Sequence, residues 1–222
     1  MKENDPFAVL YCDNEGRVAG VERSSPPAKC RAEMTPSPRR QHRRNYNDPG
    51  HAHELTFSCY QGFKFLASDR TCDWLAKSID KARRRLEFDL WAYVFMPEHA
   101  HLLVHPRRPQ YDIAEIRWAI KGPVGKRAIR CLEAEAPEWL PRISRRRGSK
   151  SERLFWQSGG GYDRNVTDGK TLLEMIDYVH LNPVRRGLVE QAEQWKWSSA
   201  AWFLGTGQPP LIPDQIPPEW CQ

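Results

Sequence analysis

The amino-acid sequence predicts an α+β domain in which helices cover the faces of an antiparallel sheet. Along the chain, segments in which apolar and polar residues alternate take turns with segments that have the 3.6-residue period of a helix. Proline or glycine stands between most of these segments and ends them. A continuous apolar run near the centre of the chain is typical of a strand buried on both faces.

The first strand and the first helix are visible as a change of period. Residues 55–60 alternate between apolar and polar side chains, which predicts a half-buried strand. The following segment has apolar residues at the spacing of one helix face and basic residues between them, which predicts an amphipathic helix. The residues of that face are Leu75, Ile79, Ala82 and Leu86.

Two strands and a helix come next. Residues 90–96 form the continuous apolar run, and residues 101–105, closed by a proline, predict its partner strand. A helix is predicted over residues 113 to about 121. Gly122-Pro123 either kinks this helix or starts a second one that ends near Glu135.

The last strand and helix complete the order of elements. Residues 154–157 predict a short strand ahead of three consecutive glycines, and a helix follows from Thr167 or Thr171 until Pro183 and Gly187 stop it. The order is therefore strand, helix, strand, strand, helix, strand, helix. That is the split βαβ, ferredoxin-like order with an added C-terminal helix.

Composition narrows the classes of function. The 222 residues can bury a core without cross-links, and 34 basic against 28 acidic residues favour a polyanionic partner. The longest apolar runs have about seven residues, far fewer than the roughly 20 that span a bilayer, and no signal-peptide pattern follows the N-terminus. We expect a cytoplasmic protein without a membrane partner, with its six cysteines as reduced thiols.

Three parts are predicted along the chain. Residues 1–45 are a basic, proline-containing arm without apolar periodicity, residues 46–204 are the folded domain, and residues 205–222 are a proline-rich tail. Five of the ten residues 209–218 are proline, so the tail is expected to be extended. Because it has few periodic apolar residues, we expect the core to fold without it.

The clearest chemical motif is a His-Ala-His tripeptide at residues 99–101. On an extended strand His99 and His101 project to the same face, where two imidazoles could bind one metal ion, although a strand edge with two surface histidines has the same pattern. A His-x-His motif alone is a weak signal. The tripeptide recurs at residues 51–53, but Pro-Gly precedes it and no long buried strand follows, so we interpret that copy as structural.

A helix stripe offers a third metal ligand and a nucleophile. Glu174, Tyr178 and Asn182 are spaced i, i+4 and i+8. If this stripe lies over the histidine strand, the Asn182 carbonyl completes a metal site and the Tyr178 hydroxyl stands one turn away. A half-buried structural tyrosine is the alternative, and Tyr162 and Tyr111 are competing phenols without a ligand donor one turn away.

This arrangement would suit attack on a phosphodiester. A free tyrosine has a pKa near 10, so its phenol needs a cation and an aligned target to react. A metal ion polarises and orients a phosphate. The spacing therefore indicates metal-assisted phosphoryl chemistry, with one reservation about Asn182, because a residue before proline tends to leave the helical conformation.

Several segments together resemble the REP-associated tyrosine transposases, which are HUH single-strand endonucleases with one catalytic tyrosine. The most similar segments are residues 96–104 and 177–189, followed by residues 197–200, within a resemblance that covers about residues 47–203. By position it implies that His99 and His101 are the paired metal-binding histidines, Tyr178 the nucleophile and Asn182 the third metal ligand. Ala100 stands where the family usually has a bulky hydrophobic residue, which leaves both imidazoles in place.

The resemblance also implies a reaction and its partners. Tyr178 would attack single-stranded DNA at palindromic hairpin repeats, form a 5′-phosphotyrosine and later rejoin strands, with Mg²⁺ or Mn²⁺ as cofactor and no small-molecule substrate. Two imidazoles and a carboxamide make a softer site than Mg²⁺ usually takes, which favours Mn²⁺. Association with the nucleoid is expected, while the choice between monomer and homodimer stays open.

Basic residues outside the motif are candidates for DNA contact, and each cluster could equally be a solvated surface. They are Arg39, Arg40, Arg43, Arg44, Arg84, Arg85, Lys121, Lys126, Arg145, Arg146 and Arg147. One alternative function is a catalytically silent regulator that binds hairpin DNA with the same fold. Another is an RNA-binding module, but its aromatic signature is missing from the predicted strands.

Overall fold

The computed structural model describes residues 47–221. The predicted N-terminal arm, with its candidate DNA contacts Arg39, Arg40, Arg43 and Arg44, lies outside the described residues. Within residues 47–221, none of the helices is both long enough and apolar enough to cross a membrane. The cysteines in this part of the chain, Cys59, Cys72, Cys131 and Cys221, carry free thiols.

A four-stranded antiparallel sheet is the centre of the fold. Its order is β2-β3-β1-β6, formed by β1 (Ala52–Ser58), β2 (Phe88–Met96), β3 (His99–Pro106) and β6 (Tyr162–Val166). The helices are α1 (Asp69–Leu86), α2 (Ile113–Glu135), α3 (Leu140–Ile143), α4 (Gly169–Arg185) and α5 (Ala200–Phe203). This is the predicted ferredoxin-like α+β fold with an added C-terminal helix.

The two faces of the sheet have separate cores. On one face, Leu55, Phe57 and Leu102 pack with apolar residues of α1 and α2. On the other face, Leu103 and neighbouring residues of β2 pack with α4. Because successive residues of a strand point to opposite faces, the histidines that alternate with Ala100 and Leu102 on β3 lie on the α4 face.

The helix α2 is one continuous helix, whereas the sequence allowed either a kink or the start of a second helix at Gly122-Pro123. Pro123 has no backbone N–H to donate to the carbonyl of Ala119. The Ser78 hydroxyl of α1 donates instead to the carbonyls of Ala119 (3.3 Å) and Ile120 (2.7 Å). A side chain of the neighbouring helix thus donates to the Ala119 carbonyl, which the proline leaves without its helical donor.

The strands ahead of and after the three glycines of residues 159–161 differ from the sequence prediction. Residues 154–157 are not a strand of the main sheet and make only an isolated bridge, between Trp156 and Cys59. The fourth strand is β6, five residues later, and its mostly polar sequence hid it because it is an edge strand with an exposed Tyr162. In addition, β4 (Ser144–Arg147) and β5 (Lys150–Arg153) form a hairpin, which is absent from the order of elements predicted from the sequence.

The helix α4 begins and ends close to the predicted positions. Asp168 caps it by accepting a hydrogen bond from the Thr171 amide at 2.9 Å. The helix continues through Pro183 to Arg185, and Gly187 follows with a φ of +66°. A left-handed glycine just after the last turn is a common way to end a helix.

The C-terminal segment runs along the outer edge of β2. Trp197 accepts a hydrogen bond from the Phe95 amide, Ser199 donates to the Tyr93 carbonyl, and the Asp214 amide donates to the Leu90 carbonyl at 2.7 Å. The tail is extended as predicted, but Leu211 is buried and Trp220 packs 5.1 Å from the ring of Trp91. Its truncation is therefore expected to lower stability, while the folding of the core without the tail stays a prediction.

Two tryptophans after α4 also pack in this region. The Trp195 indole donates to the Phe95 carbonyl at 2.8 Å, and the Trp197 indole donates to Asp69. Trp202 is 38% exposed. The indoles of Trp195 and Trp197 therefore serve packing.

Candidate active site

Two imidazoles from β3 form one side of the site. The rings of His99 and His101 have their centroids 4.9 Å apart. His101 Nδ1 lies 3.0 Å from Glu54 Oε1 and 2.8 Å from Thr56 Oγ1, and His99 Nδ1 lies 3.3 Å from Glu98 Oε1. Each ring is thus held through Nδ1, which leaves Nε2 as the nitrogen for an ion.

The register between β1 and β3 supplies the partners of His101. Thr56 lies directly opposite His101, and Glu54 is two residues away on the same face. Glu54 is 3% exposed and also accepts a hydrogen bond from the Thr56 hydroxyl at 2.6 Å. Sequence reasoning did not identify Glu54, although a carboxylate on a strand between two core residues is an uncommon feature that could have drawn attention.

Glu98 holds the other imidazole, although the residue before His99 on an ideal strand would point to the opposite face. Strand alternation does not apply to it, because Glu98 lies in the turn between β2 and β3. Its carboxylate contacts His99 and forms an ion pair with Arg186 at the end of α4. The hydrogen bond with His99 and the charge of Arg186 outweigh partial burial and lower the pKa of Glu98 to about 2.

The helix α4 brings the tyrosine to the histidines and carries the asparagine one turn further on. The Tyr178 ring stands edge-on to the His101 ring, with centroids 5.5 Å apart, and is 39% exposed. Asn182 Nδ2 donates to the Tyr178 carbonyl at 2.7 Å, so its Oδ1 remains as an acceptor. The four residues singled out by the sequence therefore lie in one chain of contacts that joins β3 to α4.

A cation stands beside the phenol. The guanidinium of Arg185 lies 5.3 Å from the centre of the Tyr178 ring. Arg186, one residue further on, is paired with Glu98, so Arg185 is the arginine beside the phenol. Its guanidinium suits the negative charge of a phosphate.

A divalent ion at this site would need both nitrogen and oxygen ligands. Among residues 47–221 no group of three or more His, Cys, Asp or Glu side chains is placed to hold a metal ion. The residues present would offer two imidazole nitrogens and one carboxamide oxygen, from His99, His101 and Asn182. This donor set fits Mn²⁺ better than Mg²⁺, which prefers oxygen ligands.

The candidate DNA contacts that the structure describes are dispersed. Arg84 and Arg85 lie on α1 near Asp80 and Glu115, and Lys126 lies over the Trp118 ring on α2. In the hairpin, Arg145 pairs with Glu152, while Arg146 and Arg147 are exposed. None of these residues contacts the histidines or Tyr178, so they form no single surface with the site.

Lys121 is the candidate that shares a cavity with Thr56, the partner of His101. It lines a cavity of about 230 Å³ together with Thr56, Ser58, Gln157, Ser158, Gly161 and Tyr162. Burial and the neighbouring Arg117 lower the pKa of Lys121 to about 8. Gly161 is required here, because a Cβ atom would lie 2.2 Å from the Thr56 carbonyl oxygen.

The first His-Ala-His tripeptide has a different environment. His53 is fully buried, with Nδ1 2.9 Å from Asp163 and Nε2 2.7 Å from the Tyr111 hydroxyl. His51 is partly exposed and lies 3.0 Å from the Asn165 amide. Both nitrogens of His53 are therefore occupied by the protein, in agreement with the structural interpretation.

Fold and site together define a class: a ferredoxin-like domain in which two strand histidines face a tyrosine on a helix. No protein-family model matches the chain. It is 27% identical over 148 residues to a protein of Haemophilus influenzae named as a REP-associated tyrosine transposase, with 62% of this chain and 77% of that relative covered. A REP-associated tyrosine transposase of Escherichia coli is 25% identical over 129 residues, which cover 56% of this chain and 62% of the relative.

A solved structure supports the fold. The REP-associated tyrosine transposase bound to a REP hairpin superposes with a TM-score of 0.58 at 18% identity, over 80% of this chain and 100% of that chain. The resemblance inferred from the sequence is therefore confirmed: this chain is similar in sequence to two proteins named as REP-associated tyrosine transposases, and similar in fold to a solved one.

Proposed function

We propose that this protein is a single-strand DNA transposase that cleaves and rejoins DNA at palindromic hairpin repeats. The observation that carries the proposal is the contact between the His101 and Tyr178 rings, with His99 beside His101 and Asn182 hydrogen-bonded to the Tyr178 carbonyl. A tyrosine that served only packing would not need two oriented imidazoles and an arginine around it. The names of the relatives, one of them bound to a hairpin, agree with a DNA hairpin as partner.

The proposed reaction is a transesterification. The Tyr178 oxygen attacks a phosphorus atom of the strand, a phosphotyrosine bond to the 5′ side forms, and the bond from phosphorus to the 3′ oxygen breaks. The phenol proton ends on the released 3′ oxygen. Rejoining is the reverse attack by a 3′ hydroxyl, so the bond energy is conserved and no nucleotide cofactor is needed.

The surrounding residues have separate tasks in this proposal. His99, His101 and Asn182 would hold Mn²⁺ or Mg²⁺, which supplies a Lewis acid for the scissile phosphate. Glu54 and Glu98 keep the imidazoles in one orientation by hydrogen bonds to Nδ1. Arg185, beside the Tyr178 ring, attracts the phosphate.

The division of the chain follows from this assignment. Residues 46–204 would form the catalytic domain, with the basic arm of residues 1–45 as a DNA contact and residues 205–222 as a tail. We place the reaction at the nucleoid in the cytoplasm, where the DNA substrate is found. The dispersed basic residues would add phosphate contacts, whose affinity falls steeply with salt.

The decisive experiment detects the covalent intermediate. Wild type and Tyr178→Phe are incubated with labelled single-stranded hairpin DNA copied from repeats that flank the gene, in Mn²⁺ or in EDTA. Denaturing gels then separate nicked DNA from a protein-DNA adduct. We expect an adduct only in wild type and only with metal.

A matched control uses the other exposed phenol. Tyr162 is 48% exposed, so Tyr162→Phe should fold and keep the adduct. An adduct that disappears in Tyr162→Phe and persists in Tyr178→Phe would overturn the assignment of the nucleophile. Tight, metal-independent hairpin binding without any adduct would favour the silent regulator of the same fold.

A further inference from the structure

A groove lies between α1 and α2, on the opposite side of the sheet from Tyr178. Both helices pack on the face that carries Leu55 and Leu102, whereas α4 covers the other face. The groove has a volume of about 310 Å³. None of the residues placed around Tyr178 lines it.

Two indole rings form the apolar part of the groove. Trp74 is buried, and Trp118 is 63% exposed, the largest exposure among the large apolar side chains of residues 47–221. Pro123 and Val124 of α2 continue the apolar lining. An exposed indole next to a buried one offers a flat surface on which a second aromatic ring can stack.

The rim of the groove is basic. Four cations line it, Lys77, Lys81, Arg85 and Arg127, and no carboxylate is among its lining residues. Lys77 is 2.7 Å from Asp73 and Arg85 is 3.9 Å from Glu115, both outside the groove. The guanidinium of Arg127 lies 4.6 Å from the centre of the Trp74 ring, which orders it at the rim.

We propose that this groove binds an unpaired segment of single-stranded DNA, with a base stacked on Trp118 and phosphates beside the rim cations. Aromatic platforms within basic channels are the common means of holding single strands without reading their sequence. An acidic protein segment would match the cations but has no need of an exposed indole. An apolar segment would match the indoles but would bring no charge to four cations.

The location of the groove sets a minimum length for the DNA that could reach it from the active site. Because the helix layer and the sheet separate it from Tyr178, only a strand that extends well beyond the hairpin could reach both places. The groove would thus bind flanking DNA and leave the hairpin to the catalytic face. This inference rests on the proposed function for the identity of the polymer.

The test compares two DNA lengths in the Tyr178→Phe protein, which binds without cutting. Fluorescence anisotropy measures the affinity for a hairpin alone and for the same hairpin with a single-stranded extension of about twelve thymidines. We expect the extended DNA to bind about tenfold more tightly. Trp118→Ala should abolish most of this preference, and Trp118→Phe should retain it.

Salt dependence separates the phosphate contacts from stacking. In Lys81→Ala, the slope of log affinity against log salt for the extended DNA should decrease by about 0.7, the value for one contact to a single strand. Arg130→Ala is the matched control, because Arg130 is exposed on α2 and does not line the groove. It should leave the preference and the slope unchanged.

The outcomes distinguish the groove from the active site. An equal preference for extended DNA in the Tyr178→Phe parent, Trp118→Ala and Lys81→Ala would overturn the proposal, and so would binding of polyglutamate in the groove with unaltered DNA affinity. Failure to bind either DNA would overturn both proposals. A preference that depends on Trp118, found in a protein that forms no adduct, would support the groove and reject the cleavage reaction.

Discussion

The two His-Ala-His tripeptides lie in adjacent strands of one sheet and have opposite surroundings. His53, from the first copy, uses Nδ1 for Asp163 and Nε2 for Tyr111 and is completely buried. His101, from the second copy, uses only Nδ1, for Glu54 and Thr56. The comparison teaches that the second ring nitrogen, and not the tripeptide, distinguishes a structural histidine from a candidate ligand.

The register of the sheet produces this difference. His53 lies opposite Val104, which belongs to the α1 and α2 core, whereas His101 lies opposite Thr56 on the α4 face. A shift of one residue would exchange the faces. Identical tripeptides therefore acquire different partners from long-range pairing.

The largest expected effect tests the second copy. His99→Ala should reduce the rate of adduct formation about a thousandfold, because it removes one of two imidazoles from the proposed metal site. Mn²⁺ binding, measured by calorimetry, should be lost with it. The free energy of unfolding should change little, because the ring is partly exposed and His101 keeps its own partners. Normal Mn²⁺ binding in this variant would remove His99 from the site.

The next effect is on stability and tests the first copy. His53→Ala should lower the free energy of unfolding by about 3 kcal/mol, because it leaves the buried Asp163 carboxylate and the Tyr111 hydroxyl without their common partner. Urea denaturation measures the loss, and His51→Ala, at a partly exposed position, is the matched control. Mn²⁺ affinity of the folded His53→Ala protein should equal that of wild type. A loss of affinity would place the first tripeptide in the site.

A smaller effect tests the carboxylate that orients His101. Glu54→Gln keeps the shape of the side chain but removes its charge, and should weaken Mn²⁺ binding about 10- to 100-fold. Glu174→Gln, on the exposed stripe of α4, is the matched control and should bind Mn²⁺ normally. Equal affinities in the two variants would show that the charge of Glu54 has no part in metal binding.

The smallest effect concerns a third histidine of the same strands. The His105 ring stacks 4.6 Å from Trp91 and packs against Trp220, and burial lowers its pKa although Asp89 partly offsets this. The unfolded ring binds a proton below pH 6.5 more readily than the folded ring, so stability should fall as the pH drops through 6.5. Thermal unfolding measures this loss of stability, and His105→Phe should lose less stability than wild type as the pH drops through 6.5. An identical pH profile would show that His105 titrates normally.

Much of the fold could be predicted, because the core elements have strong local patterns. The alternation in β1, the apolar run of β2 and the periodic faces of α1 and α4 all correspond to buried residues. The missed strand β6 has only one fully buried residue, Val166, so it lacks an apolar pattern. The uninterrupted α2 depends on Ser78, a residue of another helix, which a local pattern cannot reveal.

The candidate site, like the fold, has a part that the sequence predicts and a part that depends on long-range packing. Tyr178 and Asn182 share a helix stripe, and His99 and His101 share a strand face, so spacing alone grouped each pair. Their mutual contact and the participation of Glu54 depend on how β1, β3 and α4 pack. These contacts join residues more than forty positions apart, and no local period encodes them.

The covered edge of β2 has a consequence for the state of the protein in a crowded cell. An open sheet edge is a template on which another chain can add a strand. Here Trp197, Ser199 and Asp214 occupy the outward backbone groups of Phe95, Tyr93 and Leu90, so the chain supplies its own substitute strand. Proteolytic loss of the segment beyond Gly205 would uncover Leu90, and we expect the clipped protein to self-associate and aggregate through that edge.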